Sequence, residues 1–540
     1  MNIKHIAIFS ALWFITCTAF AQDTLRTNEY DVIKDFKPTL SEILKITSNP
    51  NPEVPEVKAP KLDYTLPETR LTTDATVYTI KPLAMGTALL PKLKSNYFKL
   101  GYGNYNSPVI EAYINTVRNK TSQAGVFAKH LSASPSDNVQ AFSDNQINMW
   151  GKRFLNSGML HSSVSYTRNV IHLYGFQPQS LNLSESTLRK QYAAIDLNAG
   201  YSNIIKDTSK IKYNIDLYYY NFIDNKDMKE NDFKLTGTVS KYIGGNPLKV
   251  DLGVNTNTIS TKTFEYNQVL VTINPDYTLS INNRAFVMLG FNSTIFSDSA
   301  NGKLYFYPEA EIAYQITPKT ITAFAGITGR LIKDTYKSLV NENPFISILN
   351  INKTDNKFEF YTGVKGEIGP QTSFSLQYSL ATVKNMVFFG YDSVSLGQEA
   401  IYDTTNSGLS NVKAELNHEF ADKFHFNFVL NYFSYSLAIP APYGRPTFTT
   451  RTAFFYNLGE KIIIRADAYT MNKRTGIEVP SNKEFNLKAI TDLNLGVSYK
   501  YRKNIGLFLN LNNLTNNKYQ RWMNYPVYGF NLLGGITLTF

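Results

Sequence analysis

The chain ends in Tyr528-Gly529-Phe530-Asn531-Leu532-Leu533-Gly534-Gly535-Ile536-Thr537-Leu538-Thr539-Phe540, where apolar side chains alternate with small or polar ones. Successive side chains of a β-strand point to opposite faces of its sheet. One face of this stretch carries Tyr528, Phe530, Leu532, Ile536, Leu538 and Phe540, and the other carries Gly529, Asn531, Gly535, Thr537 and Thr539. The alternation predicts a strand with one apolar face that runs to the last residue.

The same alternation recurs towards the N-terminus. Segments 248–254 and 487–501 both place apolar residues at about every second position. The polar faces of these segments include charged side chains at Lys249, Asp251, Lys488, Asp492 and Lys500. The dry core of a soluble β-sandwich would not accept these charges, whereas the wet lumen of a transmembrane barrel does. The pattern therefore favours a barrel over a sandwich.

Short polar turns separate the predicted strands at every second connection, counted back from Phe540. The ten turns are Arg502-Lys503-Asn504, Gly459-Glu460-Lys461, Ala421-Asp422-Lys423, Gly369-Pro370-Gln371, Pro318-Lys319-Thr320, Asn282-Asn283-Arg284, Gly244-Gly245-Asn246-Pro247, Asp207-Thr208-Ser209, Asn156-Ser157-Gly158 and Asn119-Lys120-Thr121. Several connections between them are long, at Val170 to Leu188, Lys333 to Asn356, Tyr391 to Gly408 and Thr515 to Pro526. Short turns at one rim and long loops at the other are typical of bacterial outer-membrane barrels.

Ten short turns imply an all-β fold, a transmembrane antiparallel β-barrel of about 22 strands. The region from Ser95 to Phe540 holds 446 residues (540 − 94), or about 20 per strand and its share of loop. We accept a count of 18 to 22 strands, because the stretch from Tyr391 to Leu416 either hides or lacks a strand.

The composition agrees with a membrane barrel. Charged residues make up 18% and aromatic residues 14% of the chain, against about 25% charged in ordinary globular proteins. Barrels use Tyr and Phe in the girdles at both membrane interfaces. The net charge of +11 suits acidic lipid head groups or an anionic solute, but solubility of the loops explains it more simply, and we expect no nucleic-acid partner.

Residues 1–21 have the three parts of a cleaved secretory signal: the basic Lys4, an apolar stretch from 6 to 15, and Ala19-Phe20-Ala21. We predict cleavage between Ala21 and Gln22. A lipid anchor on Cys17 is the alternative, but no small residue precedes this cysteine directly. Loss of Cys17, the only cysteine, leaves the mature chain without thiol chemistry.

Residues 22–94 differ in composition from the rest of the chain. Eight of the 22 prolines lie here, and proline-rich segments stay extended. One short helix is predicted near Pro38, with Leu40, Ile43 and Leu44 on one face. The domain prediction is therefore a signal peptide (1–21), an extended Pro-rich periplasmic tail that is alternatively inserted into the lumen (22–94), and an outer-membrane barrel (95–540).

The C-terminal residues resemble those of a known family. Asn513-Leu514-Thr515-Asn516-Asn517-Lys518-Tyr519 follows an alternating strand and precedes Tyr525-Pro526 and the final strand. This order resembles the closing strands of TonB-dependent outer-membrane receptors, in which an N-L-x-N-x-x-Y turn follows the penultimate strand and the chain ends in an aromatic residue. The resemblance implies solute uptake across the outer membrane of a Gram-negative bacterium. Ile536, Leu538 and Phe540 also resemble the signal by which the barrel-assembly machinery recognises its clients.

The N-terminal region departs from that family. Its receptors carry a globular plug domain of well over a hundred residues before the barrel, and segment 22–94 is too short for one. Asp31, Val32 and Ile33 begin a hexamer that resembles a segment pairing with TonB, although any exposed mixed hexamer looks similar. TonB, or another periplasmic or outer-membrane protein, is the expected partner beside outer-membrane lipid.

No motif points to catalysis, a cofactor or a metal, so we expect a protein that is not an enzyme. The histidines outside the signal lack metal-binding spacing. Four acidic residues lie close together in the sequence: Asp224, Asp227, Glu230 and Asp232. They are a candidate calcium-binding site or, as the simpler interpretation, part of a solvated hairpin. Aromatic residues predicted in the long loops have two interpretations: they stack on a solute, or, as the simpler interpretation, they belong to the girdle or stabilise the loops. These residues are Tyr435, Tyr443, Trp522, Tyr525 and Tyr528.

Two functions follow from these features. The first is transport of a solute through a receptor-like barrel that has no globular plug. The alternative is a structural or assembly subunit of an outer-membrane complex, with the N-terminal tail docking periplasmic partners.

Overall fold

The computed structural model describes residues 96–116, 119–135, 140–176, 183–204, 207, 209–298, 302–318, 320–348, 350–420 and 423–540. The strands of these residues, numbered along the chain, are β1 (Asn96–Gly103), β2 (Ser107–Asn115), β3 (Ser122–Ala133), β4 (Phe142–Phe154), β5 (Gly158–His172), β6 (Arg189–Asn203), β7 (Lys212–Asp224), β8 (Lys229–Ile243), β9 (Asn246–Ser260), β10 (Glu265–Ser280), β11 (Ala285–Asp298), β12 (Gly302–Thr317), β13 (Ile321–Lys333), β14 (Ile346–Ile348), β15 (Lys353–Ile368), β16 (Thr372–Asp392), β17 (Gly397–Phe420), β18 (Phe424–Ser436), β19 (Phe448–Leu458), β20 (Ile462–Met471), β21 (Arg474–Glu478), β22 (Lys483–Leu487), β23 (Ile490–Lys500), β24 (Ile505–Asn512), β25 (Gln520–Trp522), β26 (Tyr525–Pro526) and β27 (Asn531–Thr539). Two helices, α1 (Glu185–Leu188) and α2 (Tyr336–Glu342), and a 3₁₀ turn (Gly369–Gln371) complete the elements.

Twenty-two of these strands form one closed antiparallel barrel, as the sequence predicts. The other five, β14, β21, β22, β25 and β26, lie in the loops. Closure joins the two ends of the barrel: β1 pairs with β2 on one side and with β27 on the other, with Leu100 opposite Ile536. The Phe540 carbonyl accepts the Asn96 N–H at 2.9 Å. A closed barrel leaves no sheet edge in contact with lipid, where an unpaired backbone group would cost several kcal/mol.

Each predicted short turn falls where one barrel strand ends and the next begins, although Gly158 already belongs to β5 and Asn246 and Pro247 to β9. Residues 208, 319, 421 and 422 of these turns lie outside the described residues. The turn between β8 and β9 shows the local reason. Gly244 and Gly245 have φ of 59° and 82°, a left-handed conformation that glycine adopts without the steric cost of a Cβ. Two such residues form the tight hairpin turn whose twist matches that of antiparallel strands. The short-turn rim is periplasmic in outer-membrane barrels, and the long loops face outward from the cell.

The two faces of the wall differ as expected. On β12, Leu304 and Phe306 are 63% and 58% exposed to the outside of the barrel. On β9, Lys249 and Asp251 face the lumen and form an ion pair. The predicted charged lumen face is therefore confirmed for this strand.

Three details of the sequence reading are wrong. Segment 487–501 is not one strand: Leu487 ends β22, and β23 starts at Ile490, because the chain leaves the barrel to form the β21–β22 hairpin. The long connection predicted from Tyr391 to Gly408 is mostly strand, since β16 and β17 extend as a paired hairpin to Asp392 and Gly397. Tyr528 does not face lipid. It precedes β27, and its ring stacks on Tyr105 with centroids 4.8 Å apart.

Within the described residues, no helix combines the length and the apolar character needed to cross a bilayer.

Candidate functional site

The loops at the outer rim meet over the mouth of the barrel. Their contact is an apolar cluster of ten buried residues, called here the mouth cluster: Leu173, Leu339, Ile346, Phe389, Tyr391, Ala400, Leu487, Trp522, Met523 and Tyr525. Leu173 follows β5 and Phe389 lies on β16, ten barrel strands apart in a ring of 22. Contact between loops from nearly opposite sides of the ring means that the cluster spans the mouth.

Aromatic and polar contacts hold the mouth cluster together. The rings of Phe345 and Tyr525 stack with centroids 3.8 Å apart, and the ring of Tyr174 meets that of Tyr525 edge-on at 5.0 Å. The Tyr174 hydroxyl donates to the carbonyl of Pro526 at 3.0 Å. The amide of Gln398, which is 1% exposed, donates to the carbonyl of Met523 at 3.1 Å. Closely packed apolar side chains exclude water, so water is excluded where these loops meet.

Residues 333–346, called here the mouth segment, carry the loop between β13 and β14 across to the wall formed by β6 to β9. The segment contains α2, which begins because Thr335 caps it. The Thr335 side chain accepts the Ser338 N–H at 3.0 Å, and the Ser338 hydroxyl accepts the Thr335 N–H at 2.8 Å. This capping box satisfies two of the free N–H groups at the helix start. Tyr336, Leu339 and Val340 form the buried face of the helix.

Acidic side chains of the wall hold the mouth segment. Lys333 pairs with Asp232 at 2.6 Å, with both side chains only 9% exposed, and Lys337 pairs with Asp196. The Tyr336 hydroxyl donates to Asp224 at 2.6 Å, and the Lys337 N–H donates to Glu230 at 2.7 Å. Removing one partner of a buried ion pair typically costs about 3–5 kcal/mol. The segment is therefore fastened by charge as well as by apolar packing.

Glu230 is the most enclosed of these carboxylates, at 0% exposed. It also accepts hydrogen bonds from Asn257 at 2.6 Å and from the Tyr220 hydroxyl at 3.1 Å. Buried carboxylates are stable only when their oxygens are paired in this way. The prediction of a solvated hairpin is thus wrong for Glu230 and Asp232, whereas Asp224 is half-buried and accepts the N–H groups of Lys226 and Met228 in the hairpin turn. Only Asp227 lies at the exposed tip, where it pairs with Lys262 at 2.7 Å.

Asp334 lies at the start of the mouth segment and is 8% exposed. Burial raises the pKa of this carboxyl to about 6, because a buried charge loses its hydration. The hydroxyls of Tyr402 and Thr354 donate to it at 3.3 and 3.4 Å, which lowers the pKa only in part. Asp334 is therefore protonated up to a higher pH than an exposed aspartate.

A cavity of about 580 Å³ lies between the mouth segment and the inner wall of β4 to β7. Its lining combines aromatic rings with polar and charged groups, including Asp144, Asn169, Tyr192, Asp196, Phe222, Lys337, Phe345 and Tyr528. Rings and a few convergent polar groups are typical of small-molecule sites. Movement of the mouth segment would enlarge this cavity, because Lys337, Val340 and Phe345 form one of its sides.

The predicted site residues fall into two groups. Ala21, Gln22, Asp31, Val32, Ile33 and the rest of the tail lie outside the described residues. Ile536 and Leu538 lie on β27, and Phe540 follows it, with Ile536 42% and Phe540 58% exposed on the outer face. The Phe540 ring stacks on Phe98 with centroids 5.8 Å apart.

Three of the five predicted loop aromatics, Tyr443, Trp522 and Tyr525, are packed between the loops, whereas Tyr435 lies on β18 and Tyr528 lines the cavity. Tyr443, Trp522 and Tyr525 are at most 5% exposed. The Tyr443 hydroxyl donates to Glu484 at 2.8 Å, which links two loops. Among the described residues, no group of three or more His, Cys, Asp or Glu side chains is arranged to hold a metal ion.

Sequence reasoning missed the mouth segment. A local signal for α2 exists, since Thr335 stands three residues before Ser338 and the apolar pair Leu339-Val340 follows. The partners of the segment left no local signal, because Lys333 and Asp232 are 101 residues apart in the chain, and Lys337 and Asp196 are 141 apart.

No family model and no curated protein matches the chain. Solved structures match its fold. The FrpB iron transporter from Neisseria meningitidis (F3-3 variant) has a TM-score of 0.65 and 10% sequence identity, covering 84% of this chain and 82% of its own. The ferric-catecholate import receptor Fiu from K12 E. coli, in its closed form, has a TM-score of 0.64 and 9% identity, covering 83% and 82%.

A third structure is the pyoverdine outer membrane receptor FpvA from Pseudomonas aeruginosa PAO1, bound to pyoverdine. It has a TM-score of 0.63 and 11% identity, covering 83% of this chain and 78% of its own. At such low identity the likeness concerns the fold alone. The chain is therefore a closed 22-stranded antiparallel β-barrel that shares its fold with these outer-membrane transporters and receptors.

Proposed function

We propose that this protein takes up a solute across the outer membrane, and that the solute passes through the barrel after displacing the mouth segment. One observation carries the proposal: a charged lumen wall ends in loops packed across the mouth, with a mixed aromatic and polar cavity directly against those loops. A barrel that only anchored a complex would not need a cavity bounded by a separately fastened segment.

A gated mouth has a defined cost of opening, which a bound solute would have to offset. Opening breaks the Lys333–Asp232 and Lys337–Asp196 pairs and exposes the apolar face of α2. Lys333 is the last residue of β13 and belongs to the barrel ladder, whereas Lys337 and α2 lie in a loop that can move without unfolding the wall. A bound solute shifts the equilibrium between the closed and open mouth only by the difference in its binding free energy for the two states. To move the ratio of open to closed molecules from 1:99 to 99:1, this difference must be about 5.5 kcal/mol.

We further propose that the tail, residues 22–94, closes the lumen from the periplasmic side in place of a globular plug. A 22-stranded barrel has a wide lumen that must be blocked to keep the membrane tight. Asp31, Val32 and Ile33 would then couple the tail to TonB by strand pairing. This part rests on the sequence resemblance and on the length of the tail.

Conductance in planar bilayers tests both barriers. Four proteins are compared: the mature chain, the chain without residues 22–94, the mature chain with Tyr336→Ala and Leu339→Ala, and the chain with both changes. Two barriers in series predict a large conductance only for the combined protein. A large conductance after tail removal alone would show that the mouth is open, and a small one in all four would refute an uptake pathway.

The same four proteins also test the alternative function, a structural or assembly subunit of an outer-membrane complex. Affinity purification after mild detergent extraction would then recover stoichiometric partners that depend on residues 22–94. Such partners, together with a small conductance of the combined protein, would favour an assembly subunit over a transporter.

A further inference from the structure

A second cavity of about 550 Å³ lies at the outer end of the wall formed by β12, β15 and β16, roughly across the lumen from the first. Its lining is basic: Lys303, Lys353, Lys357 and Lys384 surround it, with Asp355 as the one acidic lining residue. Tyr305, Asn352, Asn385 and Thr404 complete the lining.

This cavity faces the lumen and not the lipid. Leu304 and Phe306 are 63% and 58% exposed on the outer face of β12, so the alternating Lys303 and Tyr305 point inward. Asp355 is 8% exposed and accepts a 2.7 Å hydrogen bond from the hydroxyl of Tyr307, the next inward residue on β12. A ligand of the cavity therefore comes from the aqueous mouth of the barrel.

The charges around the cavity do not balance. Lys353 pairs with Asp298 at 3.4 Å, and its ammonium lies 4.1 Å from the centre of the Phe296 ring. Among the described residues, Lys303, Lys357 and Lys384 have no carboxylate within ion-pair distance, and all three are exposed. Three like charges that line one cavity repel each other, and an anion placed between them would remove that cost.

Two irregularities in the strands shape this arrangement. The register shifts between Asn356 and Phe358 on β15, which leaves Lys357 as the extra residue, and between Lys384 and Met386 on β16. Bulges of this kind re-aim side chains. Asn385 has a φ of 57°. Its side-chain amide donates to the backbone carbonyl of Lys353 at 3.0 Å, and its backbone carbonyl accepts a hydrogen bond from the Thr354 hydroxyl at 2.9 Å. The lysines are thus carried on a hydrogen-bonded frame and not on a free loop.

An aromatic surface lies beside the lysines. The Tyr305 and Tyr307 rings stack with centroids 6.4 Å apart and an angle of 16° between their planes. The Lys303 ammonium lies 5.0 Å from the centre of the Tyr305 ring. A flat or sugar-like group can pack on such a ring while a charged group meets the ammonium.

We propose that this cavity binds a multiply charged oxyanion group, such as a phosphate, sulfate or polycarboxylate. Lys303, Lys357 and Lys384 hold the charge, and Tyr305 contacts the adjoining part of the ligand. Its role as a substrate site rests on the proposed uptake function, whereas binding itself does not.

Calorimetry on the detergent-solubilised mature protein tests this site, with inorganic pyrophosphate as the probe at low and high ionic strength. The test variant is Lys303→Gln with Lys384→Gln. The control is Lys210→Gln with Lys461→Gln, which makes the same change in net charge at the short-turn rim. We expect about tenfold weaker binding per lysine removed in the test variant, no change in the control, and weaker binding in high salt.

Three results would overturn the site: no saturable binding by the unaltered protein, equal losses in test and control variants, or binding of lipopolysaccharide micelles without any binding of pyrophosphate. The last result would place the anion on the lipid side. The outcome is separable from that of the uptake proposal. If the opened barrel conducts but the protein does not bind pyrophosphate, only the proposed anion site is refuted. If the protein binds pyrophosphate but no variant conducts, only the proposed uptake function is refuted.

Discussion

Replacement of Tyr336 by alanine should loosen the mouth segment more than any other single change in α2. Tyr336 is 2% exposed, packs against the rings of Tyr192 and Phe222, and donates its hydroxyl to Asp224 at 2.6 Å. Truncation of a buried aromatic side chain to alanine costs about 3–5 kcal/mol. Since 1.4 kcal/mol is a factor of ten, the open population should rise by about 100-fold or more. Tyr336→Phe removes only the hydrogen bond to a charged group, at about 1.5–3 kcal/mol, and should give a smaller rise.

Thiol labelling in intact cells measures this opening. Cys17 is the only natural cysteine and lies in the predicted signal, so one introduced thiol reports alone. Ala194→Cys places it on β6 beneath α2, at a position that is 2% exposed. A membrane-impermeant maleimide should label Cys at 194 slowly, and Tyr336→Ala should accelerate the labelling. Tyr501→Ala, at an outward-facing residue that is 58% exposed, is the control. An unchanged rate, or the same acceleration in the control, would refute the reasoning.

Three further predictions concern other parts of the chain. The folded-state pKa of Asp334 is raised to about 6 from an ordinary 3.8, so its stabilising contribution is present below about pH 4 and is lost as pH rises through 6. Asp334→Asn should therefore slow the labelling of the thiol at 194 at pH 7.5, by up to roughly 3 kcal/mol in the free energy of closing, and should remove the difference in labelling rate between pH 5 and pH 7.5, each rate being normalised to that of the unfolded protein. A difference that persists in Asp334→Asn would exclude Asp334 as its source. Phe540→Ala, which removes the stack on Phe98 and the proposed assembly signal, should lower the yield of heat-modifiable folded barrel in membranes, and an undiminished yield would count against that signal. Replacement of Asp31-Val32-Ile33 by Gly-Ser-Gly should abolish energy-dependent uptake at an unchanged membrane level, and normal uptake would rule out coupling through this segment.

The barrel could be predicted because its signals are local. Period-2 alternation is set by the backbone of each strand, and turns such as Gly244-Gly245 are set by the φ angles that their own residues allow. The barrel has 22 strands and the sequence shows ten short turns, so an error at a single strand, such as the false continuation through Lys488, does not change the strand count.

The mouth could not be predicted, because its contacts are distant in sequence. Tyr525 meets Phe345, and Glu230 accepts from Lys337, across separations of more than 100 residues. The acidic residues near Asp224 have the composition of a solvated hairpin, and only the position of α2 shows that they bind a segment of the same chain. The lysines of the second cavity come from three strands, and the bulges that re-aim them have no sequence signature of their own.

A density map of the mature protein in lipid nanodiscs tests the central claim most directly. The account predicts α2 seated on β6 to β8, with Lys333 beside Asp232, and density for residues 22–94 inside the lumen below it. An open mouth above a lumen that holds only water, with the tail extended into the periplasm, would contradict it.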